Sequence, residues 1–185
     1  MEETKTIDIN TLSRSKRFSI LMLGFGLTMI VGGLQSFLHI STYLDNPNFP
    51  VWLGILLLLL SAFITIIVHE GLHGIPIWLF ARKVEFGGKW SSLGPVFYAT
   101  SAGSKFTKKQ FIAILLAPQV LTLTLLVMLV VHRFGFPIGN MLLGCAAVNL
   151  GGGCADLYFT GMLLFGYKGK PLVEDTKTGM IVYKA

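Results

Sequence analysis

Residues Val51–Phe80 read VWLGILLLLLSAFITIIVHEGLHGIPIWLF, and the reading of this stretch decides the fold. Nothing charged occurs from Val51 to Val68, and then His69-Glu70-Gly71-Leu72-His73 follows. A helix that crosses a bilayer needs about 20 apolar residues. The stretch therefore predicts a spanning helix with three ionisable groups near one end. Three further apolar blocks flank it: 18–40, 111–131 and 138–165, the last interrupted by Gly151-Gly152-Gly153. The head containing Arg14, Lys16 and Arg17 resembles the start of a signal peptide. The apolar run behind it is too long for one, and no small-x-small cleavage site follows, so the first block is read as an uncleaved span. The expected architecture is all-α and polytopic, with four transmembrane helices. A membrane domain at 18–165 lies between an N-terminal segment, 1–17, and a C-terminal tail, 166–185.

Composition agrees. Charged residues make up 13% of the 185 and apolar ones 53%, with mean hydropathy +0.69. The charged share is about half that of soluble globular chains, which excludes a disordered chain, a coiled coil and most soluble enzymes. The excess of 15 basic over 9 acidic residues flanks apolar blocks and forms no recognition stripe, so no nucleic-acid partner is expected. It reads instead as orientation in a bilayer, because basic connections stay cytoplasmic. Lys5, Arg14, Lys16 and Arg17 precede the first block. Arg82, Lys83, Lys89, Lys105, Lys108 and Lys109 lie between the second and third, and Lys168, Lys170, Lys177 and Lys184 follow the fourth. The other two connections hold only Arg133. A multi-pass cell-membrane protein with both termini cytoplasmic is the expectation. In the long connection after Val84, Trp90, Phe97 and Tyr98 suit the membrane surface. Val96–Thr100, after Gly94-Pro95, allows a short β-hairpin or an irregular interfacial loop. Cys145 and Cys154 sit in apolar sequence and are read as reduced.

Ionisable groups at membrane depth are expensive, so each needs a reason. His69 and His73, four apart, share one face of a helix, close enough for both imidazoles to reach one metal ion. Glu70, roughly 100° further round the helix, stands beside such an ion without ligating it and can accept a proton from activated water. A random arrangement of this chain's own residues produces H-E-x-x-H roughly 0.4% of the time, so coincidence is the weaker reading. Catalytic zinc usually takes three protein ligands and water. The longer pattern ending in a third histidine fails here, because Pro76 and Leu79 occupy its glycine and histidine positions. Among the acids only Glu70 and Asp156 fall within apolar blocks. His69 lies 18 residues from Val51 and Asp156 lies 18 from Ile138, so both stand roughly 27 Å along their helices. Asp156 is therefore the expected third ligand, and Glu85 the weaker candidate. His39 and His132 fall near the opposite face. Cys154 is near enough in sequence to ligate, but it reads as a packed thiol. Asn149, two helical turns before Asp156, is a candidate contact for a substrate carbonyl or its oxyanion, or else an interhelical hydrogen bond. Gly71, Gly74 and the glycine triplet would let backbones approach, and Pro76 is expected to end or kink its helix.

His69-Glu70-x-x-His73 at the end of a span, the block Gln110-Phe111-Ile112-Ala113-Ile114-Leu115-Leu116-Ala117-Pro118, and a glycine-rich stretch ending in Asp156-Leu157-Tyr158 together resemble a known group. It is a family of small bacterial membrane proteins described as putative zincin peptidases, formerly a domain of unknown function. The likeness runs from about Val51 to Phe165. More distantly the layout is similar to site-2 proteases, which pair a membrane H-E-x-x-H with an Asp on a later helix. The resemblance implies His69, His73 and Asp156 as Zn²⁺ ligands and Glu70 as catalytic base. The Asn-x-x-Pro pattern of site-2 proteases is absent: Asn149 is followed by the glycine triplet and no proline. The expected activity is hydrolysis of a peptide bond in a membrane-associated protein or peptide, at or within the cytoplasmic side of the bilayer. Val96–Thr100 would offer an edge strand to hold an extended substrate. The alternative is a non-catalytic metal-binding membrane protein: a divalent-ion sensor or transporter, or an inactive scaffold.

Overall fold

The computed structural model describes residues 4–37, 48–92 and 94–183. His39 and the turn residues Asp45, Asn46 and Pro47 lie outside them. The chain order is β1 (Thr4–Asp8), α1 (Arg14–Phe37), α2 (Val51–Ala81), β2 (Glu85–Ser91), β3 (Gly94–Thr100), β4 (Lys105–Thr107), α3 (Lys108–Leu116), α4 (Gln119–His132), α5 (Ile138–Gly152), α6 (Cys154–Gly166), β5 (Leu172–Thr176) and β6 (Gly179–Tyr183). Among the described residues two helices, at Arg14–Gly33 and Val51–Ala81, are each long and apolar enough to cross a membrane. The third and fourth apolar blocks are each broken. α3 and α4 meet at 41°, and α5 and α6 at 44°, so the count reaches four only if each bent pair makes one span. Proline explains the first break, since Pro118 at the start of α4 has no N–H to give to a preceding turn. Pro76 does not end its helix: α2 runs through it to Ala81.

The fold is not strictly all-α. β2 and β3 form an antiparallel hairpin, with Glu85 opposite Thr100 and Ser91 opposite Gly94. Of the two expectations for this connection, the hairpin is the one found. The segments before α1 and after α6 are strands as well, in a four-stranded sheet of order β1-β6-β5-β4. On β6 every second residue points into a core, as the two-residue period of a strand requires: Met180 and Val182 are buried, and Val173 on β5, Ile7 on β1 and Phe106 on β4 join them. The two ends of the chain are locked together by polar contacts. Ile9 N–H donates to the Thr178 carbonyl at 3.0 Å, and the Thr178 hydroxyl donates to Asp8 Oδ2 at 2.6 Å. Charge counting treated these segments as tails because their pairing joins residues far apart in sequence.

The residues divide into two compact units, each with its own core. The first comprises Met1–Leu21, Glu70–Ala117 and Ala155–Ala185, and its core joins Ile77, Phe111, Ile114, Phe159 and Leu163 to the sheet residues. A capping box starts α3 there: Thr107 Oγ1 accepts from Gln110 N–H, and Gln110 Oε1 accepts from Thr107 N–H at 2.9 Å. The second unit comprises Met22–His69 and Pro118–Cys154, with Val31, Leu125, Leu129, Leu143 and Ala146 at its core. Here α1 and α5 approach through glycine: a Cβ on Gly24 would stand 3.0 Å from the Gly151 carbonyl oxygen. Gly74 serves a different neighbour, the Phe86 ring of β2, which a Cβ would meet at 2.7 Å; a Cβ on Gly71 would meet nothing.

Candidate metal centre

One face of α2 is buried at every fourth residue: Ser61, Thr65, His69, His73 and Ile77. This is the i, i+4 stripe of a helix with one side against protein. The stripe carries both histidines inward, and they retain 9% and 7% of their exposure. The remaining faces are apolar and exposed, as at Trp52, Ile55, Leu59 and Phe63.

The partners of each imidazole determine its tautomer. His73 Nδ1 lies 2.8 Å from the Ile114 carbonyl oxygen. A carbonyl can only accept, so Nδ1 carries a proton and Nε2 is the nitrogen left to ligate a metal ion. That Nε2 stands 3.3 Å from Asp156 Oδ2. Asp156 lies in the first turn of α6, where the unpaired N–H groups and the helix dipole favour a carboxylate. The break at Gly153 creates that helix start.

His69 is held in the same way by a side chain. Asn149, fully buried on α5, donates from Nδ2 to the Pro118 carbonyl at 2.8 Å and to Thr122 Oγ1 at 2.7 Å. Its Oδ1 faces His69 Nδ1 at 3.0 Å and can only accept. His69 therefore also carries a proton on Nδ1, which makes Nε2 its ligating nitrogen. Both amide hydrogens of Asn149 are engaged in this arrangement, so Asn149 holds His69 and, as it stands, aims no donor at a substrate.

His69 and His73 occupy one unbroken turn of α2, and Asp156 approaches that turn. One ligand atom from each of the three lies within 4.8 Å of the others. Ligand atoms 2.0–2.2 Å from a tetrahedral zinc stand about 3.3 Å apart, the separation seen between His73 Nε2 and Asp156 Oδ2. Two imidazoles, each with its Nδ1–H engaged, and one carboxylate form a donor set that fits Zn²⁺.

The other candidates fall elsewhere. Glu70 is half-buried beside His69 on α2. Glu85 pairs with Lys83 at 2.8 Å, a contact that holds its carboxyl below the usual range, and it is outside the three-residue group. Cys154 packs against α1, its Sγ 3.1 Å from where a Gly24 Cβ would stand. His132 is exposed at the end of α4. Two residues that bear on the centre were missed. Asp175 on β5 feels the charges of His73 and Asp156. Burial pushes its carboxyl up to about 7, the Asp156 charge adds to the rise and His73 opposes it. Gln119 Oε1 accepts from the Thr122 hydroxyl at 3.3 Å, which extends the chain that starts at His69. No spacing rule signals either residue, because strand pairing places one and the Pro118 break places the other.

Comparison with curated proteins and with solved structures finds no match. A family model described as "Putative zincin peptidase" matches residues 62–169, more than half of the chain. That range contains both histidines, Glu70, Asn149 and Asp156, and the chain belongs to this family.

Proposed function

We propose that the protein is a membrane-embedded zinc metalloendopeptidase that cleaves a membrane-associated peptide or protein near the cytoplasmic edge of the bilayer. His69, His73 and Asp156 would hold the ion. The observation that carries this reading is the pair of imidazoles whose Nδ1–H groups are both tied down. One ligand atom of each ring lies within 4.8 Å of the other and of an Asp156 carboxylate oxygen. When bound, zinc supplies Lewis-acid chemistry, lowering the pKa of a water to about 7 and polarising a carbonyl. Glu70, one residue from His69, serves as general base and then returns its proton to the leaving amine. Ile114 and Asn149 keep the two rings in the tautomer and orientation the site needs, and burial of both rings limits bulk water.

In this reading the four apolar blocks cross the membrane with both termini cytoplasmic. The exposed apolar side chains of α1 and α2, among them Phe25, Ile30, Leu59 and Phe63, support it, because soluble monomers rarely expose contiguous apolar patches above a few hundred Å². His69 then lies roughly 27 Å along α2, near the inner edge of a hydrocarbon layer about 30 Å thick. Glu70→Gln is the test. The variant should load zinc like wild type and lose hydrolysis of a casein probe. Loss of the ion, or unchanged hydrolysis, contradicts the assignment and favours a non-catalytic metal-binding protein.

A further inference from the structure

The hydrogen-bond chain that begins at His69 has a defined direction and an open end. His69 Nδ1–H donates to Asn149 Oδ1, and Asn149 Nδ2–H donates to Thr122 Oγ1. The Thr122 hydroxyl donates to Gln119 Oε1. The Gln119 carbonyl is thereby engaged and its amide turned, so Nε2 is the terminus. That nitrogen is buried and has no acceptor among the described residues. A buried amide N–H without a partner costs about 1–3 kcal/mol, so a fold that keeps one needs a reason.

Its surroundings supply the reason. Gly153 is buried beside it, and a Cβ there would stand 2.6 Å from Gln119 Nε2, 3.1 Å from the Asn149 carbonyl oxygen and 3.2 Å from His69 Cε1. Gly153 has an ordinary backbone conformation, φ −76° and ψ 11°, so the absent side chain is a matter of space. The gap lies between the unpaired donor and the Cε1 edge of the His69 ring. Cε1 is bonded to Nε2, the nitrogen assigned to the metal. A buried donor whose own carbonyl is engaged, set across this gap from the ring edge of a metal-ligating histidine, is suited to stabilise oxygen as it gains charge.

We infer that Gln119 Nε2 is a substrate-contacting donor, receiving the oxygen of the scissile carbonyl as it becomes tetrahedral. The inference rests on the peptidase reading above. It assigns to Gln119 one of the two roles open to Asn149 in the sequence; the hydrogens of Asn149 are used in the other, hydrogen bonding between helices.

The test compares wild type, Gln119→Met and Gln119→Glu in detergent. It measures zinc content, affinity for the phosphonamidate analogue of Ala-Leu by calorimetry, and casein hydrolysis. Gln119→Glu retains the oxygen that Thr122 donates to, so it keeps any structural role while replacing the donor with an anion. The expected result is wild-type zinc content in both variants and phosphonamidate affinity at least ~10-fold weaker. In addition, kcat should fall ~100-fold or more with KM little changed, by analogy with loss of one oxyanion donor. Wild-type phosphonamidate affinity in either variant overturns the inference. So does zinc loss that parallels the loss of affinity, which would make Gln119 only a support for His69. A wild-type protein that binds neither zinc nor the phosphonamidate removes the peptidase reading itself, and this inference with it.

Discussion

Replacing Asn149 with alanine removes three contacts at once: the donations to Pro118 and Thr122, and the acceptor that fixes His69. Their consequences differ. The Pro118 carbonyl keeps Leu121 N–H as a donor at 3.0 Å, and the Thr122 hydroxyl keeps its bond to Gln119. His69 Nδ1–H loses the acceptor that fixed its tautomer. Three net hydrogen bonds at about 0.5–1.5 kcal/mol each, plus about 1–3 kcal/mol for the orphaned donor, give an expected loss of roughly 2.5–7.5 kcal/mol. Against a total stability of about 5–15 kcal/mol this is readily measured. Zinc affinity should fall about 10–100-fold, because an unheld ring is a poorer ligand. Asn149→Asp separates the two effects. It keeps an acceptor for His69 and loses both donors, so it should be destabilised while holding zinc better than the alanine variant. The assays are chemical unfolding in micelles with chelator and competition for zinc against a fluorescent chelator. If the alanine variant binds zinc within twofold of wild type, or if alanine and aspartate weaken zinc equally, the positioning argument is wrong.

Two further outcomes follow from other parts of the molecule. A Cβ on Gly179 would overlap the Ile7 carbonyl of β1 and stand 2.8 Å from Asp8 Cα. Gly179→Ala should therefore cost about 1–3 kcal/mol or more and increase amide exchange on β1, whereas unchanged exchange would mean that β1 does not pair there. Asp175 gives a pH signature. With its carboxyl raised to about 7 in the folded chain and near 3.9 when unfolded, the folded state holds an extra proton between those values. Its contribution to stability is complete below about pH 4 and is lost as pH rises to about 7, at about 1.4 kcal/mol per pH unit. Asp175→Asn should melt higher than wild type at pH 8 in the presence of chelator, with the difference shrinking toward pH 4. A constant difference across that range contradicts the burial of Asp175.

What could be read from the chain was local or metric. H-E-x-x-H lies on one helical turn, and helix rise alone places Asp156 at the depth of His69, since each is 18 residues into its block. Non-local pairing was harder to read. Met180 and Val182 alternate as a buried strand does, yet the partner of that strand is Thr4–Asp8 at the other end of the chain, so charge counting described both as tails. The bend in the third block hides behind continuous hydrophobicity, because Pro118 does not interrupt the apolar run; the glycine triplet that interrupts the fourth block marks its break. Asn149 was visible as a polar residue in an apolar helix and its partner was not, because 80 residues separate it from His69. Gln119 and Asp175 have no sequence signal at all. One depends on the bend at Pro118 and the other on the register of β5.

The central claim is that His69, His73 and Asp156 hold one zinc ion together. Metal analysis of purified wild type, His73→Ala and Asp156→Ala tests it most directly. The account predicts about one zinc per chain in wild type and a large loss in both variants. Equal metal content in all three proteins would contradict it.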